Sequence, residues 1–332
     1  ERMKYICDFL GKEGKAYAVT DYTAFEANCT GKMMQLCEFQ LYKHMLRNVP
    51  DKRILKKIMH TLSGKQIITS RLGAGSLDPV RMSGEMCTSL GNGFTNMMVT
   101  KFVFRSMGYD AKMVVEGDDG LVAFTRDGRV PDSKDFARLG TVVKMKCVES
   151  ITDADFCGLC CDSDVCDNVL DPLWEMIGFG WSMSPSAVGG EKVKLGLLHA
   201  KALSMAYPAP NGPVTRAMAD AYIRLTNHVK PRWEANQNGT VDWHAQQTLD
   251  AIQKGGLCRR NIDIRSRLLV ARRFHMSVAL QMRYEDYFDS LQVIEEIPDM
   301  GLDMSEWADA AKMFGLVRNV GAGLSDHYCE YF

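Results

Sequence analysis

The chain has 332 residues, 46% hydrophobic and 24% charged, which suits a folded globular protein and excludes a disordered or fibrous one. Its 40 basic and 41 acidic residues nearly cancel, so a net charge of -1 identifies no partner, and any nucleic-acid surface must come from local clustering. No apolar run reaches the roughly 18–20 residues of a membrane span, and Glu1-Arg2-Met3-Lys4 opens no secretory signal. An initial residue other than methionine is read as a sign of a longer parent chain. Eleven cysteines, an odd number spread from Cys7 to Cys329, fit reduced thiols better than a disulfide framework.

In chain order, residues 15–20 alternate as a short strand ending at Asp21. Apolar residues from Thr30 to Leu46 recur at helical spacing until Asn48-Val49-Pro50-Asp51 stops them. Residues 64–80, with Gly64, Gly73, Gly75 and Pro79 around Gln66-Ile67-Ile68-Thr69, predict a hairpin-like insertion. A long helix follows from about Glu85 to Ser106, ended by Gly108. Two apolar runs, 112–116 and 121–124, flank Gly117-Asp118-Asp119-Gly120 and predict a β-hairpin with its acidic residues at the tip. Asp132 or Ser133 is placed to cap a short helix through Leu139, before a strand at 141–148. Beyond Gly190 the pattern is mostly helical. Glycines and Pro185 gather between 178 and 190, which sets the expected domains at 1–185, with an insertion at about 48–82, and 186–332.

Asp21 ends a strand, and Asp118 and Asp119 occupy a hairpin tip. If the strands are neighbours, three carboxylates meet at one sheet edge, where like charges repel unless a cation joins them. Oxygen-only donors suit Mg²⁺ or Mn²⁺, and two such ions can clamp the attacking and leaving oxygens of a phosphoryl displacement. Read alone, Asp118-Asp119-Gly120 is more simply a good type I′ turn, since Asp-Gly is a common hairpin turn. Ser83-Gly84-Glu85-Met86-Cys87-Thr88-Ser89-Leu90-Gly91-Asn92 adds a flexible loop before a helix. Thr88 and Asn92 share a face of that helix, presenting a hydroxyl and an amide suited to a ribose hydroxyl or a template backbone.

Asp21-x4-Glu26, Ser83…Thr88…Asn92 and Gly117-Asp118-Asp119, in that order, resemble motifs A, B and C of the RNA-dependent RNA polymerases of positive-strand RNA viruses. The wording Arg81-Met82-Ser83-Gly84-Glu85-Met86 and Leu90-Gly91-Asn92 is most similar to the tombusvirus-like and nodavirus-like branch. Leu139-Gly140 with Lys144 and Lys146 resembles motif D, and Asp155-Phe156-Cys157-Gly158 resembles motif E. The resemblance spans roughly residues 15–165.

It implies an α+β right-hand polymerase: a palm of antiparallel sheet with flanking helices, partial fingers and a mainly helical thumb. By the same resemblance Asp21 and Asp118, assisted by Asp119, would hold two Mg²⁺ or Mn²⁺ ions. Lys144, with Lys146 nearly as well placed, would be the general acid. Glu26, Ser83, Gly84, Thr88 and Asn92 would bind the nucleotide and its ribose. The family usually has aspartate where this chain has Glu26, which puts sugar selection in question, and the basic fingers motif that normally lies upstream is missing from this sequence. Expected partners are RNA template and product, ribonucleoside triphosphates and other viral replication proteins. The expected location is the host cytoplasm, in membrane-associated replication complexes through regions outside this chain. The rival readings are a reverse transcriptase and a non-catalytic RNA-binding fragment.

Weaker signals remain. Arg259, Arg260, Arg265 and Arg267, with Arg272 and Arg273, could follow a phosphate backbone or form a solvated helix face. Lys52, Arg53, Lys56 and Lys57 read as plain surface. Cys157, Cys160, Cys161 and Cys166 have a zinc-like spacing without a second supporting pair. The aspartates around them, Asp155 among them, read as surface.

Overall fold

The computed structural model describes residues 2–11, 15–82, 85–125, 128–180, 185–233 and 243–301. Two compact units divide the chain, Glu1–Cys166 and Asp167–Phe332. The glycine-rich stretch near 185 therefore lies inside the second unit, where the preceding helix Pro172–Gly178 packs on the helix Thr215–Thr226.

The first unit is built on a four-stranded antiparallel sheet. Its strands are β1 (Ala16–Tyr22), β4 (Lys112–Glu116), β5 (Asp119–Phe124) and β6 (Val143–Val148), in the order β4-β5-β1-β6. The period-2 alternation of β1 sets its faces. Ala16, Ala18 and Tyr22 enter the main core, while Tyr17, Val19 and Asp21 lie on the other side. Against the core face packs the 19-residue helix α6 (Thr88–Ser106), which contributes Val99, Val103 and Phe104. Phe124 of β5 meets Phe104 and Tyr109 edge-on, at centroid distances of 5.1 and 5.4 Å. Phe136 of the short helix α7 (Ser133–Ala137) completes the layer, and Asp132 caps that helix with a full capping box. Phe104 is fully enclosed, and truncating such a side chain costs roughly 3–5 kcal/mol.

Helix α1 (Arg2–Leu10) precedes this sheet, and the short α2 (Phe25–Asn28) follows β1. The predicted helix over 30–46 is broken at Cys37 into α3 (Gly31–Leu36) and α4 (Glu38–Met45). In α4, Glu38 is buried in line with Phe39 and Tyr42, which form a small second core with Met34. Helix α5 (Lys52–Leu62) buries no residue completely and carries the basic patch Lys52, Arg53, Lys56 and Lys57. The hairpin β2 (Gln66–Ser70) and β3 (Gly73–Leu77) follows, almost wholly exposed.

The second unit is helical among the described residues: α8 (Pro172–Gly178), α9 (Glu191–Ala206), α10 (Thr215–Thr226), α11 (Trp243–Gly255), α12 (Ile264–Arg273) and α13 (Val278–Ser290). Helices α9 and α10 pack together, and α13 packs on α10 and α12. Glu285 of α13 joins three segments. It accepts from the backbone nitrogen of Val214 at 2.9 Å and takes both terminal nitrogens of Arg267 at 2.8 Å. Arg224 holds the end of α13 by donating to the carbonyls of Phe288 and Leu291.

Candidate active site

The sheet register brings the acidic residues together. Strand β5 runs antiparallel to β1 with Thr20 opposite Gly120, and one further step along that register sets Asp21 against Asp119. Across β4, Glu116 pairs with Asp119, leaving Gly117-Asp118 as a two-residue turn. The turn is thus not Asp118-Asp119-Gly120 as a type I′ reading requires. Gly117 has φ +58°, and Asp118 is not among the residues with positive φ, which is the II′ pattern with glycine first. The consequence is geometric: Asp118 projects from the tip, and Asp119 starts the strand beside Asp21.

Asp119 registers this crowding. Burial pushes its carboxyl above the usual range; a hydrogen bond from the Cys157 thiol opposes that, and the charges of Asp118, Asp21 and Asp155 push it higher still. Asp155, read from sequence as plain surface, therefore belongs to the electrostatic surroundings of the site. It arrives there because Phe156 bridges Leu159, with Cys157 and Gly158 both at positive φ (51° and 73°) in the turn between. The same turn sets the Cys157 sulfur 3.8 Å from Glu116 Oε2, and burial pushes the Cys157 thiol up. Arg2 pairs with Glu116 and lies 5.2 Å from the Phe156 ring centre.

Lys144 stands directly opposite Asp21 on β6, so the two share a face of the sheet. Lys146 stands opposite Val19, on the same face but one pair further from the carboxylates. The structure thus separates two lysines that spacing alone leaves nearly equal.

On the core side, Asn92 of α6 donates from Nδ2 to Glu26 Oε1 at 3.4 Å. The longer glutamate side chain therefore still meets the asparagine. Cys29 lies against Asn92 Oδ1 at 4.0 Å, its thiol pushed up to about 12 by burial. Thr88 donates from Oγ1 to the carbonyl of Met82 at 3.3 Å, closing the segment that contains Ser83 and Gly84, which themselves lie outside the described residues.

Two further groups were not singled out from sequence. Arg81, immediately before that segment, pairs with Glu38 with both side chains fully buried, and Tyr42 donates its hydroxyl to the same carboxylate. Asn96, one helical turn beyond Asn92, donates to the carbonyls of Gly117, Asp118 and Asp119. Its spacing from Thr88 and Asn92 was visible in the sequence, and a polar side chain repeating at i, i+4, i+8 was the available signal.

The donors at the sheet edge are hard oxygens under mutual repulsion, which fits a divalent cation. Among the described residues, no three histidine, cysteine or carboxylate side chains are already drawn together as metal ligands, the cysteines of 157–166 included. Arg267 is a bidentate partner of Glu285 and Arg260 pairs with Asp289, so both guanidiniums serve the packing of α13. Arg259 and Arg265 are exposed.

Residues 18–296 match the family described as viral RNA-dependent RNA polymerase. No curated protein matches the chain. Similar solved structures include an insertion-loop deletion mutant of the RNA-dependent RNA polymerase of a human picobirnavirus, at 13% identity and a TM-score of 0.49. That alignment covers 76% of this chain and 48% of the picobirnavirus polymerase chain.

Proposed function

As the match over most of its length makes this chain a member of the viral RNA-dependent RNA polymerase family, we propose that it performs template-directed synthesis of RNA from ribonucleoside triphosphates. One observation carries the reading: the β1–β5 register sets Asp21 and the Gly117–Asp119 tip at one sheet edge, with Lys144 opposite Asp21. Asp21 and Asp118, with Asp119 beside them, would hold two divalent ions, Mg²⁺ or Mn²⁺, which when bound neutralise charge on the reacting phosphate oxygens. The primer 3′-hydroxyl attacks the α-phosphate and pyrophosphate leaves. Catalysis here consists mostly of alignment and charge compensation. Lys144, on the Asp21 face, donates a proton to the departing pyrophosphate.

Glu26 and Asn92 recognise the ribose, since a 2′-hydroxyl needs both a donor and an acceptor. Ser83, Gly84 and Thr88 are the further nucleotide-binding residues that this reading implies. Replacing Glu26 with alanine deprives Asn92 of its partner. Discrimination between ribo- and 2′-deoxynucleotides, measured as a ratio of kcat/KM values, is expected to fall about tenfold for the loss of one such bond. An unchanged ratio would remove Glu26 from sugar selection.

We place the palm in the first unit, Glu1–Cys166, with part of the fingers in the excursion at about 48–82, and the thumb in the second unit, which takes in 167–185 as well as the expected 186–332. The wording of the Arg81–Asn92 segment supports the tombusvirus-like and nodavirus-like branch. RNA and other viral replication proteins are the partners this reading implies, in the host cytoplasm; no helix among the described residues is long and apolar enough to cross a membrane.

Primer extension on an annealed RNA template with Mg²⁺ or Mn²⁺ tests the function. The arms are this chain, its Asp118→Ala variant and a version extended upstream. Incorporation that vanishes in the variant is the expected result. Activity in the extended version alone would retain the mechanism and assign the missing part to upstream sequence. Salt-dependent RNA binding without incorporation in any arm would overturn the proposal in favour of a non-catalytic RNA-binding role.

A further inference from the structure

Asn96 sits fully enclosed on α6, and its amide nitrogen is 3.2, 2.9 and 3.1 Å from the backbone oxygens of Gly117, Asp118 and Asp119. An amide carries two hydrogens, so three acceptors share them. The other end of the side chain fixes its orientation: Thr100 Oγ1 donates to Asn96 Oδ1 at 3.2 Å. Thr100 in turn lies 3.2 Å from the hydroxyl of Tyr22, the residue after Asp21 in β1. A continuous buried chain of polar contacts therefore links the strand carrying Asp21 to the turn carrying Asp118.

That chain matters because the carboxylates are not fastened directly. Among the described residues, neither Asp21 nor Asp118 has a side-chain hydrogen bond or ion pair of its own. Their separation is set by the backbone beneath them, and Asn96 is the side chain that grips that backbone. The approach is close: a Cβ at Gly120 would collide with Thr20 Oγ1 and lie 3.5 Å from both polar atoms of Asn96.

We propose that Asn96 is a positioning residue that sets where the Asp118 carboxylate stands relative to Asp21, by clamping the carbonyls of the Gly117–Asp119 turn through the Tyr22–Thr100–Asn96 chain. Its catalytic consequence rests on the polymerase reading; its geometric claim does not.

The test uses the 332-residue chain with Asn96→Ala, Asn96→Asp and Thr100→Val. Asn96→Asp keeps the volume and replaces the donor with an acceptor. Thr100→Val leaves Asn96 in place without its orienting bond, so it serves if the Asn96 variants do not fold. Hydrogen exchange is followed over 114–121 and, as an internal control, over 143–148. Exchange at the turn is expected to quicken about tenfold in the Asn96 variants, less in Thr100→Val, with the control strand unchanged. In primer extension, kcat is expected to fall about 10²-fold while KM for the nucleotide stays within about twofold.

Turn exchange equal to that of the parent overturns the proposal. So does a loosened turn with undiminished kcat, or a loss confined to KM. If the parent chain itself makes no RNA, the exchange experiment still decides: a loosened turn upholds the clamp, and the upstream-extended version alone decides whether the polymerase reading has failed.

Discussion

Replacing Glu38 with alanine is expected to destabilise the first unit by about 3–5 kcal/mol, the usual consequence of leaving one member of a buried ion pair uncompensated. Arg81 and Glu38 are both completely enclosed, and the carboxylate also accepts the Tyr42 hydroxyl. Arg81 reaches Cys87 Sγ at 3.0 Å and Glu85 Oε2 at 3.4 Å as well. Burial alone would pull its guanidinium down, but the Glu38 carboxylate reverses that and holds it above its ordinary value. The space around the pair is closed. A Cβ at Gly91 would come within 2.5 Å of Arg81 Nη2 and 2.8 Å of Glu38 Oε1, which explains a glycine in the first turns of α6. Denaturant unfolding of Glu38→Ala, Arg81→Met and the double variant Arg81→Met/Glu38→Leu checks this. Each single variant should lose several kcal/mol, and the double should recover much of it, since a well-packed apolar pair avoids the desolvation cost. A Glu38→Ala loss below about 1 kcal/mol, the scale of an exposed pair, would show that the pair does not hold α4 to the start of α6.

Which features were legible in the sequence follows from the range of the forces that make them. The β1 strand, the 112–124 hairpin and α6 are set by local periodicity and turn chemistry, and the structure has all three. The break at Cys37 was not legible, because both halves keep an apolar helical period and only the burial of Glu38 beside Arg81, 43 residues away, distinguishes them. The 117–120 hairpin tip was legible, but which two residues form the turn was not: Asp-Gly favours a I′ turn one residue later, whereas pairing of Glu116 with Asp119 decides the register. Asn96 shared a visible spacing with Thr88 and Asn92, but what it grips depends on how the hairpin lies on the helix. Arg267 and Arg260 look like phosphate ligands in composition, and Glu285 and Asp289 on the neighbouring helix give them another use.

Asp119→Asn is expected to abolish most RNA synthesis and, at neutral pH, to make the protein more stable. The sign follows from the raised carboxyl. Burial, with the charges of Asp118, Asp21 and Asp155, places its folded value above the ordinary 3.8, so the ionised form is disfavoured in the native state. Asp119 therefore weakens the fold at any pH above its folded value, and this penalty disappears as pH falls below 3.8. Asparagine removes the penalty, so the Tm of the variant should exceed that of the parent by about 1–3 °C near pH 7.5. The advantage should vanish near pH 3.5. Equal Tm values at both pH values, or a variant less stable at neutral pH, would show that the repulsion is not felt by the fold. The Cys157 thiol opposes the shift, so Cys157→Ala should move the acidic limb of the activity profile to higher pH. Under the proposed function, a bound cation would relieve this repulsion. Mg²⁺ should therefore raise the Tm of the parent more than that of Asp119→Asn, because a ligand stabilises only the state that binds it.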